Sequence, residues 1–163
     1  MKKLAYILLF SVSFLLIGKR SQAQDYQTAV GLKFGAYEIG PSIKYFTDKN
    51  TALEGILGFR SHGAVFTGLY EKSAQAFGVT NLNFYYGFGG HIGSIGSGVY
   101  KRFGDDEYYN GKHLLIGADA TLGLEYKIPE APIAISLDLN PRVELAKGPF
   151  FDIAPGLGLK YTF

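Results

Sequence analysis

From Leu114 to Ile128 the chain reads LLIGADATLGLEYKI, and its even-numbered positions are Leu, Ile, Ala, Ala, Leu, Leu, Tyr and Ile. The odd-numbered positions carry Leu115, Gly117, Asp119, Thr121, Gly123, Glu125 and Lys127. A period of two held over so many residues places one set on each face of an extended strand, because successive strand side chains point to opposite sides. Two more segments repeat the pattern. In Pro132–Leu145, Ile133, Ile135, Leu137, Leu139 and Val143 oppose Ala134, Ser136, Asp138, Asn140, Arg142 and Glu144; in Phe151–Phe163, Ile153, Leu157, Leu159 and Tyr161 oppose Asp152, Gly156, Gly158 and Lys160.

The length of these strands narrows the fold further. A soluble strand usually runs about 5–6 residues. At roughly 3.3 Å per residue and a tilt near 40°, a strand of about 12 residues spans about 30 Å, the thickness of a bilayer's hydrocarbon core. Shorter alternating segments add Thr28–Ala36, Glu38–Phe46, Thr51–Arg60, Gly63–Lys72 and Leu82–Gly93. The total is eight, an even number, so both ends of an up-and-down barrel fall on one side. Pro41 and Pro155 lie within strands and lead us to expect bulges or a strand shoulder. The connections TDKN, KSAQAFGVT and PEAP form one set of turns, and AYE, SHG, Ser94–His113 and AKGPF form the opposite set.

Two barrels fit this patterning. In a soluble, lipocalin-like barrel the apolar face lines the interior and binds a ligand; in a membrane barrel the apolar face meets lipid and the polar face fills the lumen. The polar faces hold Lys33, Lys44, Arg60, Lys127, Arg142 and Lys160 against Glu54, Glu71, Asp119, Glu125, Asp138, Glu144 and Asp152. Near-balanced charge mixed with Gly, Ala, Ser and Thr suits a narrow lumen, where buried charges must be paired. A solvent-washed face would tolerate the same balance. Eight strands leave room inside for side chains only, which argues against a general porin.

The N-terminus indicates export. Lys2 and Lys3 precede an apolar run from Leu4 to Gly18, and Ser21 and Ala23 occupy the −3 and −1 positions before Gln24. This is the layout of a cleaved signal peptide over residues 1–23, leaving 24–163 as one domain. The run is short for a membrane-spanning anchor, and Lys19-Arg20 is an unusual pair so close to a cleavage site. The chain has 16 basic and 14 acidic side chains; removing Lys2, Lys3, Lys19 and Arg20 leaves 12 basic against the same 14 acidic. The basic pI therefore belongs to the export segment, and a nucleic-acid partner is not expected. Without cysteine there is no disulfide framework and no thiolate chemistry.

The last strand carries apolar and aromatic side chains to its end. Leu157, Leu159, Tyr161 and Phe163 resemble the C-terminal insertion signal of bacterial outer-membrane β-barrels. The whole stretch from Gln24 to Phe163 resembles the small eight-stranded OmpA/OmpX-like class, and the Ala23-Gln24 junction resembles the outer-membrane barrel domains common in the Bacteroidetes. The resemblance implies a monomeric barrel in the outer membrane of a Gram-negative cell. Its surroundings would be lipid and lipopolysaccharide, and the barrel assembly machinery would read its terminus. Tryptophan is absent, so the aromatic girdles would fall to Tyr and Phe, with Tyr45, Phe59, Tyr70, Phe84, Tyr126, Tyr161 and Phe163 as candidates.

Catalytic motifs are few. Gly87–Gly98 lacks the spacing of a dinucleotide loop, and Gly111-Lys112-His113 lacks the remainder of a phosphate loop. No cofactor is expected. The segment 94–113 is Tyr-, Gly- and charge-rich and reads as a solvated outer loop that could contact an unknown extracellular ligand. His62, His91 and His113 all fall toward the outer end, with Ser61 beside the first. Small barrel enzymes acting on lipopolysaccharide acyl chains use a Ser/His site there, and a metal site would use the same imidazoles. A non-enzymatic structural or surface-binding barrel is the principal expectation, with the lipid-active enzyme and the soluble barrel as alternatives.

Overall fold

A computed structural model describes residues 26–60, 62–101, 103–104, 106–146 and 150–163. The proposed signal peptide and Ser61 lie outside the described residues. In chain order the strands are β1 (Thr28–Gly35), β2 (Ile39–Asp48), β3 (Thr51–Arg60), β4 (Gly63–Gln75), β5 (Leu82–Ile95), β6 (Gly98–Tyr100), β7 (Glu107–Tyr109), β8 (His113–Lys127), β9 (Ile133–Glu144) and β10 (Phe150–Thr162). All except β6 and β7 pair antiparallel with their neighbours and close into an eight-stranded barrel, β10 returning to β1. The seam runs in unbroken register from Ala29↔Thr162 to Gly35↔Gly156.

The alternation sorts the side chains, and the sorting is that of a membrane barrel. Leu137 and Phe88 on the outside are 62% and 67% exposed, while Lys44 and Lys160 on the inside are 1% and 2% exposed. Of the girdle candidates, Tyr45, Tyr70, Phe84, Tyr126 and Phe163 are exposed at or toward the end that carries the termini, and Phe59 is exposed at the other. The outward tyrosines of the wall, Tyr86 included, gather toward the terminus-bearing end. Phe34, Phe59 and Phe151 mark the opposite end. A phenol suits an apolar–aqueous boundary, because its body is apolar and its tip is polar.

Two sequence expectations are corrected. Pro41 and Pro155 sit inside strands, opposite Leu32 and Leu139, without a bulge. The register shift lies instead at Phe46/Asp48. The β2–β3 ladder lapses at Gly40 and Pro41, between Ile39↔Phe59 and Ser42↔Ile56, so the missing proline N–H falls where the ladder is already interrupted. Segment 94–113 is not an open loop. Its first two residues extend β5, and β6 and β7 form a two-stranded ribbon with Val99 opposite Tyr108.

Candidate functional site

The candidate site is the filled lumen, built in two tiers beneath a cap. Every barrel strand contributes one polar side chain to the tier nearer the termini: Lys33, Lys44, Glu54, Glu71, Tyr85, Glu125, Asp138 and Lys160, in the order β1 to β5, then β8 to β10. Lys44 Nζ bridges Glu71 at 2.9 Å and Glu125 at 3.3 Å. Lys160 pairs with Glu54 at 2.6 Å and Lys33 with Asp138 at 2.5 Å. The Tyr85 hydroxyl donates to Asp138 at 2.6 Å, and its ring lies 4.4 Å below the Lys44 ammonium. Tyr26, just ahead of β1, donates its hydroxyl to Glu125.

The second tier is organised by a guanidinium. Arg142 Nε donates to Asp119 at 2.6 Å, and Nη2 reaches Glu38 at 3.0 Å and the Thr67 hydroxyl at 3.4 Å. One planar fork thereby ties β9 to β8, to β4 and to the turn before β2. The imidazole of His91 lies between two carboxylates, with Nδ1 2.7 Å from Asp119 and Nε2 3.0 Å from Glu144. Glu144 also accepts the Ile116 backbone N–H at 2.7 Å. A cavity of about 40 Å³ lies among Lys33, Glu38, Thr67, Asn140, Arg142 and Asp152.

The ribbon closes the end away from the termini. Tyr100 and Tyr109 are buried with Val65, Ile95 and Leu115, so the last inward positions of the wall are apolar and meet aromatic rings. The two rings meet edge-on at 5.8 Å, and the guanidinium of Arg60 lies 4.1 Å from the Tyr100 ring. Asp152 accepts the Phe103 backbone N–H at 2.8 Å, which ties the ribbon to β10. Burial, with the Glu107 carboxylate adding to it, pushes the Tyr109 phenol up to about 12, and the cap contributes no phenolate charge at neutral pH.

Of the cluster considered from the sequence, Ser61 lies outside the described residues, and His91 stands apart from His62 and His113. His91 is buried in the lumen wall, with both ring nitrogens facing carboxylates. His62 is exposed at the β3–β4 turn, where a Cβ on Gly98 would lie 2.7 Å from its Nδ1. His113 Nε2 meets the Asn110 carbonyl at 3.1 Å, with its ring 4.9 Å from Tyr109. The separation arises because His91 points inward four residues below the end of β5, while the other two sit at loop junctions. Among the described residues no serine hydroxyl bonds an imidazole, and no group of three His, Asp or Glu side chains is arranged to hold a metal ion.

The remaining sequence candidates have definite places. Lys127 is half-buried at the terminus-bearing rim, two residues beyond Glu125. Leu157, Leu159 and Phe163 point outward and are 45%, 47% and 48% exposed, with the Tyr161 ring 4.9 Å from Phe163. Sequence reasoning missed Tyr26, Glu38, Thr67, Tyr85 and Asn140 as network partners. Thr67, Tyr85 and Asn140 lie in phase with the polar face and are findable by period. Tyr26 and Glu38 flank strands, where period gives no direction.

No protein-family model matches the sequence, and no curated protein does. Solved structures do. The N-terminal β-barrel domain of Pseudomonas aeruginosa OprF superposes with a TM-score of 0.62 at 20% identity, covering 85% of this chain and all of that one (100%). A structure from the de novo design of transmembrane β-barrels gives a TM-score of 0.58 at 13% identity, over 87% of this chain and 100% of that one. The fold of this chain is that of a small, closed, antiparallel transmembrane β-barrel.

Proposed function

We propose that the chain is a non-enzymatic barrel of the bacterial outer membrane, exported by residues 1–23 and serving a structural or surface-binding role with a filled lumen. The observation that carries this reading is the inversion of polarity. Short of the turns, the outward positions of the described barrel strands carry one charge, Lys72, while the interior holds the ion pairs. An apolar wall in water would aggregate, whereas in hydrocarbon it needs no cover. Leu157, Leu159, Tyr161 and Phe163 form the strand end that assembly machinery would engage, and lipid with lipopolysaccharide would surround a monomer. The upper face of the ribbon, with Val99, Phe103 and Tyr108 exposed, is the surface offered to an extracellular ligand.

The test is cell fractionation followed by electrophoresis with and without boiling. The reading expects the chain in the outer-membrane fraction, with a band whose migration shifts on heating. A soluble periplasmic band without that shift overturns it.

A further inference from the structure

The outward wall is not uniform. On β3 and β4 the mid-strand outward positions are Gly55 and Gly68, which lie opposite each other, and Gly68 in turn faces Gly90 on β5. Gly55 and Gly68 floor a groove of about 540 Å³, within the range of roughly 300–1,000 Å³ typical of small-molecule sites. Its walls are Ile43, Tyr45, Leu53, Phe66, Tyr70 and Phe88.

Backbone geometry does not require two of these glycines. A Cβ on Gly68 would meet only Phe66 Cε1 at 4.0 Å, and one on Gly55 would meet its neighbours at an ordinary 3.7 Å. Inward glycines of the same sheet differ: a Cβ on Gly89 would fall 1.8 Å from the Gly68 carbonyl oxygen, and one on Gly93 would fall 2.4 Å from that of Ala64. Glycine inside the barrel permits close backbone approach, whereas Gly55 and Gly68 outside leave space that the protein does not use.

The groove also leads to a charge. Gly68, Tyr70 and Lys72 are successive outward positions of β4, and Lys72 is the one outward charge on β2 to β5 short of the turns. Its ammonium donates to the Thr51 hydroxyl at 2.9 Å and stands 5.8 Å from the Tyr70 ring. It therefore lies at the terminus-bearing end, just beyond the groove wall. An apolar trough at mid-wall with a cation at the membrane boundary complements an amphiphile that has an apolar tail and an anionic head.

We propose that this groove binds an acyl chain of one anionic phospholipid, with its phosphate held by Lys72. The inference rests on the membrane reading above and adds a ligand class to it. The full chain, folded in detergent, is mixed with phosphatidylglycerol or phosphatidylcholine and examined by native mass spectrometry. The wild type is expected to keep one phosphatidylglycerol under conditions that strip phosphatidylcholine. Lys72→Gln should lower that adduct about fivefold, the worth of one lysine near an anionic headgroup. Gly68→Leu should remove it, and Leu137→Ala on another part of the wall should leave it unchanged.

The heat shift is measured for each variant, and Gly68→Ala replaces Gly68→Leu if the latter does not fold. Equal lipid retention by wild type and folded groove variants overturns the inference while the heat shift upholds the membrane reading. A wild type that neither shifts nor inserts overturns both. A wild-type dimer dissolved by Gly68→Leu makes the groove a contact between copies and overturns the lipid assignment.

Discussion

The two tiers of the lumen solve one problem, buried charge, with different chemistry. Near the termini, three lysines serve as point charges for four carboxylates and a phenol, one side chain per strand, and the partners are almost wholly enclosed. The Lys44–Glu71 and Lys160–Glu54 side chains are each at most 1% exposed. Toward the cap, a single arginine fork and an imidazole hold the carboxylates, and solvent reaches further in: the Arg142 and Glu38 side chains are 11% and 19% exposed. A point charge can be replaced only by another point charge at the same place, whereas a fork shares its load among several acceptors. The lower tier should therefore be the more brittle one.

The largest effect is expected at Lys44. Lys44→Met leaves Glu71 and Glu125 enclosed without their shared cation, which costs about 3–5 kcal/mol for a broken buried pair. The urea midpoint of the detergent-folded barrel, followed by its heat-shifted band, should fall accordingly. A midpoint equal to wild type would remove the distinction between the tiers. Leu159→Arg tests the wall that both tiers depend on: a cation at mid-bilayer depth on the lipid face costs about 2–4 kcal/mol, so folding into vesicles should drop. Unchanged yield in vesicles would mean that Leu159 does not face lipid.

Arg142→Gln should cost less, about 1–3 kcal/mol, because Asp119 keeps His91 and Glu38 is partly solvated. A larger loss than Lys44→Met would reverse the ranking of the tiers. Tyr109→Ala should be the mildest for the barrel itself, since a ribbon opens locally without unfolding the wall. Its readout is ion current across a planar bilayer, expected to rise as the cap loosens while the heat shift is kept. Unaltered current would show that the lower tier alone closes the lumen.

Much of this is legible in the sequence, for a definite reason. A lipid-facing position at mid-wall disfavours charge and a strand alternates, so one mid-strand charge such as Asp138 or Lys160 fixes the direction of its whole strand. Pairing was not legible. Whether Lys160 meets Glu54 or Glu71 depends on the stagger accumulated around a closed sheet, which no local window contains. The ribbon was hidden for a related reason. Its strands have three residues each and hold their place by docking Tyr100 and Tyr109 onto Val65, Ile95 and Leu115, contacts that come from β4, β5 and β8. His91 shares the polar phase of Tyr85, so the alternation points it inward, but its partners Asp119 and Glu144 lie on other strands and are set by the same stagger.

The seam between β1 and β10 has a kinetic consequence. The other barrel pairings join strands adjacent in sequence or linked by one ribbon, but Ala29↔Thr162 and its neighbours bring together residues from the two extremes of the described chain. Contacts so distant in sequence form slowly, because the loop entropy is lost before any contact repays it. Until they form, β1 and β10 each present an open edge of unpaired amides, and in hydrocarbon an unpaired amide is far more costly than in water. Closure is therefore expected to be the committing step of folding, and a chain halted before it would be a curled sheet with two adhesive edges.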